Sequence, residues 1–208
     1  MTQEARAPYN IAMGLWETEA QLAAARADIE STGDLLERAM KLAGLVTALF
    51  ARRGFHLVVV GGSAVEFYTE GGYMSGDIDF CRRSLTGPSP RLVREILLPL
   101  GGTCVGRSWQ VCGLFVDLLG IVESETSKDY RELETPYGKV TIIPPELALV
   151  ERVFYSLDSG ECVASARQMM ASAMADPAFD WQEAERLADS PDFKVLADLR
   201  RMREELAR

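Results

Sequence analysis

The chain has one histidine among 208 residues, and its four cysteines lie far apart, without a C-x-x-C pair. Structural zinc sites take closely spaced cysteine and histidine ligands, and disulfide-stabilised small domains are much richer in cysteine. The sequence therefore argues against a zinc site and against a disulfide framework. We expect Cys81, Cys104, Cys112 and Cys162 to be reduced thiols.

Long apolar runs are also missing. No segment approaches the roughly 20 apolar residues that a membrane-spanning helix needs. The N-terminal segment "MTQEARAPYNIAMGLWETEA" lacks the charged-then-apolar pattern of a secretory signal. We therefore expect a cytoplasmic protein with no membrane partner.

Basic residues are the minority among the charged ones, 22 against 31 acidic, which gives a net charge of −9. Broad nonspecific nucleic-acid binding requires a positive surface, so the sequence disfavours it. The charge does not exclude a local basic patch, and it suits a cationic small-molecule partner.

The composition, 48% hydrophobic and 25% charged, is typical of a globular protein. The apolar periodicity predicts helices at 15–30 and 31–54, the second capped by Ser31 and Thr32 and ending near Gly54. The chain is long enough for one core with a helical appendage.

The middle of the chain alternates between strand and helix patterns. The predicted elements are strands at 55–60, 76–81 and 107–120, the last with a break at Gly113 left open, helices at 63–72 and 89–102, and a hairpin at 130–143. Ser63 and Glu66 have the spacing of a capping box at the start of the 63–72 helix.

After residue 143 the patterns are helical, with predicted helices at 144–157, 162–175, 181–190 and 192–208. The fold class is therefore α+β, a mixed β-sheet with flanking helices. We divide the chain into N-terminal helices at 1–54, an α/β core at 55–143 and a C-terminal helical region at 144–208.

Two aspartates stand on the second predicted strand, in "GDIDFC". Residues two apart on a strand point to the same face, with Cα atoms about 6–7 Å apart, so Asp77 and Asp79 project together. Two adjacent carboxylates repel each other, and Mg²⁺, which prefers oxygen ligands, relieves that repulsion. The alternative is the solvated face of an edge strand.

A Gly-Gly-Ser turn joins the first strand to the following helix. Free backbone N–H groups and the positive end of the helix dipole lie at such a turn, and glycine lets a phosphate approach closely. Gly61, Gly62 and Ser63 are therefore candidates for phosphate binding. The alternative is a turn with only a structural role.

A third aspartate, Asp117, lies in the apolar segment "GLFVDLLG". Phe115 and Leu119 share its side of the strand, and Val116 and Leu118 lie on the other. A carboxylate among such neighbours is costly to bury without a partner, so a metal ion or a basic side chain is expected there. A lone structural aspartate at a strand end is the alternative.

The order of these features resembles the nucleotidyltransferase superfamily, which has the polymerase-beta-like fold. An apolar strand leads into Gly62-Ser63, thirteen residues intervene, and the D-I-D segment begins at Asp77, with a further aspartate on a later strand. The likeness covers residues 57–80 and, less closely, 109–119. The helical region resembles small bacterial nucleotidyltransferase-like proteins related to abortive-infection toxins.

The resemblance implies a nucleotidyltransferase-like mixed sheet and an enzyme that moves an NMP from an NTP, with ATP expected, to a hydroxyl. Asp77, Asp79 and Asp117 would be catalytic and would hold one or two Mg²⁺ ions. Gly61, Gly62, Ser63 and Arg82 would bind the nucleotide phosphates. Those four form the phosphate-binding set of the prediction.

The acceptor is left open between RNA, protein and a small molecule such as an aminoglycoside. The alternative function is a non-catalytic protein of this fold that acts as a nucleotide-binding or toxin–antitoxin partner, which would imply a protein partner. Other residues are assigned structural roles: Arg83 is expected in solvent, His56 exposed or structural, and Trp109 and Tyr73 in packing.

Overall fold

The computed structural model describes residues 18–158, 160 and 162–208. Within these residues the helices are α1 (Glu19–Ser31), α2 (Leu35–Ala51), α3 (Gly61–Tyr68), α4 (Pro90–Leu97), α5 (Pro145–Asp158), α6 (Val163–Ala175), α7 (Trp181–Ala188) and α8 (Leu196–Leu206). A short 3-10 helix at Leu98–Leu100 follows α4. The strands are β1 (Leu57–Val59), β2 (Asp77–Arg82), β3 (Thr103–Val105), β4 (Ser108–Val111), β5 (Leu114–Ile121), β6 (Arg131–Thr135) and β7 (Gly138–Ile142).

All of these strands form one sheet in the order β3-β4-β5-β2-β1-β7-β6. The sheet is mixed, because β2 pairs parallel with β5 and β1 pairs parallel with β7, whereas the other pairs are antiparallel. The predicted α+β class, a mixed sheet with flanking helices, is confirmed. The predicted hairpin at 130–143 is β6 and β7.

The centre of the sheet is fixed by alternation along β2. Ile78 and Phe80 are each 1% exposed and belong to the hydrophobic core, whereas Asp77 and Asp79 point to the opposite, half-buried face. The strand thus has one apolar and one carboxylate-bearing face, as its period of two predicts. Burial of the apolar face fixes the register, because a slip of one residue would put both carboxylates into the core.

The helix boundaries near residue 31 differ from the prediction. Ser31 is the last residue of α1, and Thr32 caps the C-terminus of that helix. The N-cap of α2 is Asp34, whose carboxylate accepts a 2.8 Å hydrogen bond from the Glu37 N–H. The predicted caps were wrong because α1 extends to the link between the two helices. Residues 15–17 of the predicted first helix lie outside the described residues.

The predicted strand at 107–120 is a hairpin of β4 and β5, so the break at Gly113 is real. Cys112 and Gly113 both have positive φ, 50° and 80°, which lets two residues reverse the chain. Cysteine gives no turn signal in a sequence, which explains why β4 and β5 were predicted as one strand with a possible break. The exposed edge strand β3 was also missed, since three residues give too short a pattern.

The helical region after residue 144 forms α5 to α8, as predicted, with Pro145 at the start of α5. One hydrophobic cluster includes residues from all three predicted parts of the chain, for example Leu42, Val59 and Leu147. The division at residues 54 and 143 therefore stays a prediction. The four cysteines are free thiols, and none of the described helices has the length and apolar character to cross a bilayer.

Gly44 on α2 provides a test of how tightly the helix packs on the sheet. A β-carbon at this position would lie 1.9 Å from the Thr135 hydroxyl oxygen and 3.2 Å from the carbonyl oxygen of Gly138. The Thr135 hydroxyl cannot easily move away, because it donates a 2.7 Å hydrogen bond to that carbonyl. We expect Gly44→Ala to lower the free energy of unfolding by about 2 kcal/mol, although alanine favours helices.

The matched control is Gly33→Ala, because no atom lies within 4 Å of a β-carbon there. We expect this variant to stay within about 0.5 kcal/mol of the unsubstituted protein in urea denaturation followed by circular dichroism. Equal stability of the Gly44 and Gly33 variants would contradict the packing.

Candidate active site

Asp77, Asp79 and Asp117 come together on two neighbouring strands. Because β2 and β5 are parallel and in register, Asp79 lies directly beside Asp117. One carboxylate oxygen from each of the three residues lies within 4.8 Å of the other two. The three aspartates, which the sequence separates by 40 residues, therefore form one carboxylate cluster.

The surroundings of Asp117 differ from the expectation of an apolar environment on both sides. Phe115 and Leu119, which share its face of β5, are 39% and 43% exposed, whereas Val116 on the reverse face is fully buried. Asp117 thus lies on the more open face of the sheet. Its Oδ1 atom is nevertheless buried and has no hydrogen-bond partner.

Burial and mutual repulsion both act on the cluster. Burial raises the pKa of Asp79 to about 6, and the negative charges of Asp77 and Asp117 add to the rise. Burial also raises the pKa of Asp77, with a hydrogen bond from Ser75 acting in the opposite direction. The folded protein therefore holds these carboxylates close together at an electrostatic cost.

The glycine turn is packed against Asp79. Gly61 has a φ of +65°, and a β-carbon there would lie 2.5 Å from the Asp79 Oδ2 atom. The backbone N–H of Gly62 opposes the rise in the pKa of the Asp79 carboxyl. Gly61, Gly62 and Ser63 are all buried, and the turn packs directly against the Asp79 side chain. Their contact with phosphate stays a prediction.

The predicted capping box of Ser63 and Glu66 was wrong. The helix starts two residues earlier than predicted, with Val60 as N-cap, and Ser63 lies inside its first turn. The Ser63 hydroxyl donates to the Val60 carbonyl at 2.9 Å and accepts from the Asp79 N–H at 3.0 Å. Glu66 accepts hydrogen bonds from the backbone N–H and the hydroxyl of Ser75. Both side chains therefore bond to the segment that carries the aspartates.

Arg82 and Arg83 have contacts with groups other than the three aspartates. The Arg82 guanidinium donates to the carbonyl oxygens of Leu119 and Gly120, at 3.4 and 3.0 Å, beside the end of β5. Arg83 lies over the ring of Tyr130, 4.5 Å from its centroid. In this structure Arg82 ties β2 to β5, and its contact with phosphate stays a prediction.

The remaining residues singled out in the sequence have structural positions. Trp109 is 7% exposed and belongs to the core, and His56 is exposed. Tyr73 packs over the glycine turn, with its hydroxyl 3.7 Å from where a Gly62 β-carbon would lie.

Two residues near the cluster were missed. Burial raises the pKa of both Asp77 and Asp79, and the positive charge of Arg152, on α5, opposes that rise. Ser75 bonds to Glu66 and lies 2.8 Å from the Asp77 carbonyl oxygen. Arg152 carries no sequence signal, because it is 73 residues away from Asp79 in the chain. Ser75 could have been suspected only from its position two residues before the D-I-D segment.

The three carboxylates suit a Mg²⁺ ion. Mg²⁺ prefers carboxylate oxygen as a ligand. One oxygen from each aspartate lies within 4.8 Å of the other two, so the three side chains could hold a single cation between them. A buried Asp117 oxygen without a partner is the position that a cation would satisfy.

Solved structures with a similar fold are nucleotidyltransferases or nucleotidyltransferase-like proteins. A crystal structure of ANT(2'')-Ia in complex with adenylyl-2''-tobramycin matches 72% of this chain and 93% of its own, with 16% sequence identity and a TM-score of 0.50. The chain has the nucleotidyltransferase fold. Two further matches, each with 13% identity and a TM-score of 0.49, are a solution structure of the antibiotic-resistance factor ANT(2'')-Ia and an antigenic nucleotidyltransferase-like protein from Paracoccidioides brasiliensis.

The solution structure covers 78% of this chain and 91% of its own, and the Paracoccidioides protein covers 81% and 94%. No protein-family model matches the chain, and no curated protein matches it. The nucleotidyltransferase fold is therefore visible in the structure at an identity too low to carry substrate or residue roles.

The raised pKa of Asp79 leads to a prediction for the metal-free protein. The folded state keeps the Asp79 proton to a higher pH than the unfolded chain does, so stability is lost as the pH rises from about 4 to about 6. Asp79→Asn removes this charge. In EDTA at about pH 7.5, we expect the variant to be more stable by ~1–2 kcal/mol in urea denaturation.

Near pH 3 the difference should largely disappear, because the carboxyl is then mostly protonated in both the folded and the unfolded state. Addition of Mg²⁺ at about pH 7.5 should stabilise the unsubstituted protein more than the variant. A variant that is less stable than the unsubstituted protein at both pH values would contradict this electrostatic account.

Proposed function

We propose that the protein is a Mg²⁺-dependent nucleotidyltransferase that moves an NMP from an NTP to a hydroxyl group. The observation that carries the proposal is the convergence of three carboxylates from two parallel strands beside the helix-opening glycine turn. In the reaction the acceptor oxygen bonds to the α-phosphorus while the bond from that phosphorus to the β-bridging oxygen breaks. Pyrophosphate leaves, and the hydroxyl proton passes to water.

Asp77, Asp79 and Asp117 would hold one or two Mg²⁺ ions, which supply charge stabilisation for the phosphates and lower the pKa of the attacking hydroxyl. The chain's own contribution is to present the carboxylates together from two strands, with Asp79 fixed by the glycine turn. The unpartnered Oδ1 of Asp117 supports a cation on this side of the cluster.

Arg152 is the residue that we assign to the triphosphate in place of Arg82. It is half-buried on α5, and its charge acts on both Asp77 and Asp79. Its guanidinium lies 5.3 Å from the centroid of the Tyr155 ring, and the contact places an aromatic surface beside the cation. A triphosphate bound at the cluster would then have a positive charge near it.

The acceptor would lie on the open face of the sheet. The strand register places Phe115, Gln110 and Thr103 in one row that runs outward from Asp77, and all three are exposed. This row leaves room for a substrate beside the carboxylates. ATP and tobramycin are the first probes, because the ANT(2'')-Ia structure contains an adenylyl group joined to tobramycin.

The test is transfer of label from each α-³²P NTP, in Mg²⁺, to RNA, protein and aminoglycoside acceptors. We expect transfer by the unsubstituted protein and a loss of at least about 100-fold in Asp77→Asn and Asp79→Asn, because each removes a charged metal ligand. The matched control is Asp192→Asn, an exposed aspartate outside the cluster, which should keep full activity.

Nucleotide binding that disappears in both aspartate variants, without transfer from any NTP, would instead support the non-catalytic alternative. Absence of both binding and transfer would exclude the proposed function. No feature of the described residues specifically favours a toxin–antitoxin role, and that part of the sequence-based expectation stays a prediction.

A separate prediction concerns Arg152. We expect Arg152→Ala to raise the Kd for MgATP about tenfold in isothermal titration calorimetry, since a charged hydrogen bond contributes about 1.5–3 kcal/mol. Arg82→Ala should lower the melting temperature and leave the Kd for MgATP within about twofold, because the Arg82 guanidinium bonds to carbonyl oxygens of β5. A Kd for MgATP that rises in Arg82→Ala but not in Arg152→Ala would instead assign phosphate binding to Arg82.

A further inference from the structure

The two aspartates of β2 are held in different ways by the sheet. Asp79 lies beside the end of β1, where its carbonyl oxygen accepts a 3.0 Å hydrogen bond from the Val60 N–H. Asp77 is the first residue of β2, and the pairing of β1 with β2 extends only to Phe80. Its strand neighbour is Phe115 on β5 alone. The carboxylate at this end of the cluster therefore needs support from outside the sheet.

The support comes from α3. Ser63 and Glu66 are three residues apart and lie on one face of the helix, turned toward the β2 segment. Ser63 binds the Asp79 N–H directly at 3.0 Å. Glu66 is 3% exposed, and its Oε2 atom accepts from both the N–H and the hydroxyl of Ser75, at 2.9 and 2.8 Å. Because a buried carboxylate accepts two hydrogen bonds from Ser75, it holds that residue in place.

Ser75 passes this restraint to Asp77. Its hydroxyl oxygen lies 2.8 Å from the Asp77 carbonyl oxygen, at the residue where β2 begins. The hydroxyl has a single proton, so it donates to Glu66 or to Asp77 at any moment.

We propose that Ser63 and Glu66 of α3, the second acting through Ser75, are positioning residues that orient Asp79 and Asp77 for metal binding. The inference rests on the proposed metal-dependent function. The S-x-x-E spacing that is typical of a capping box serves here to hold a D-x-D pair. Asp79 bonds to α3 directly and Asp77 is linked to α3 through Ser75, so the position of both aspartates relative to the glycine turn is restrained.

The closing experiment measures Mn²⁺ binding by electron paramagnetic resonance of the free ion, with thermal stability recorded in parallel. We expect Ser75→Ala to weaken Mn²⁺ binding about tenfold, as is usual when the partner of a metal ligand is removed. Ser75→Thr keeps the hydroxyl and should restore the affinity. Glu66→Gln keeps an acceptor oxygen and should bind Mn²⁺ more tightly than Glu66→Ala does.

The matched control is Thr126→Ala. The Thr126 hydroxyl donates at 3.1 Å to Glu183, a glutamate on α7 that is 5% exposed, away from the three aspartates in sequence and on another element. Thr126→Ala removes a hydrogen bond from a hydroxyl to a buried glutamate, as Ser75→Ala does. The variant should therefore lower the thermal stability and leave the Mn²⁺ affinity unchanged.

Mn²⁺ affinity of Ser75→Ala within twofold of the unsubstituted protein, or an equal loss in Thr126→Ala, would overturn the positioning role and leave the metal site intact. Absence of Mn²⁺ binding by the unsubstituted protein would remove the metal site, and with it both the proposed function and this inference. If Glu66→Ala fails to fold, the two Ser75 variants still decide the result.

Discussion

The in-register parallel pairing of β2 with β5 is the constraint on which the candidate site depends. It places Asp79 beside Asp117 and brings Asp77 to the same edge of the cluster. The pairing is stabilised from the other face of the sheet, where Ile78, Phe80 and Val116 are nearly fully buried. Burial of these apolar side chains stabilises the pairing by about 25 cal/mol per Å² of apolar area removed from water. This stabilisation acts against the repulsion between the carboxylates.

The glycine turn has a second role beside the one suggested by its chemistry. A side chain at Gly61 would occupy the place of the Asp79 carboxylate, and the φ of +65° there is one that other residues adopt with strain. The turn, the first turn of α3 and β2 are thus one interlocked unit. This explains in physical terms why a glycine pair and a D-x-D segment belong together in the chain even before any nucleotide is considered.

Local patterns predicted local geometry well. The alternation along β2 gave the common face of Asp77 and Asp79, and the spacing from Gly62 to Asp77 indicated the fold. The same local reasoning failed for Ser63 and Glu66, because a serine and a glutamate three residues apart can bond either to their own helix end or to a neighbouring segment. The sequence contains no information on which segment lies beside them. The contacts of Arg82 were not visible for a similar reason, since the β5 carbonyls that it bonds come from 37 and 38 residues away.

The sequence by itself determined the α+β class, the helical region after residue 144, the two faces of β2 and the identity of the three aspartates. These follow from side-chain periodicity, which acts over a few residues. Only the tertiary structure decided that Asp117 lies beside Asp79 on an open face, that Arg152 acts on the cluster and that Glu66 reaches Asp77 through Ser75. Such contacts depend on which strands and helices become neighbours, and that choice is made by the packing of the whole core.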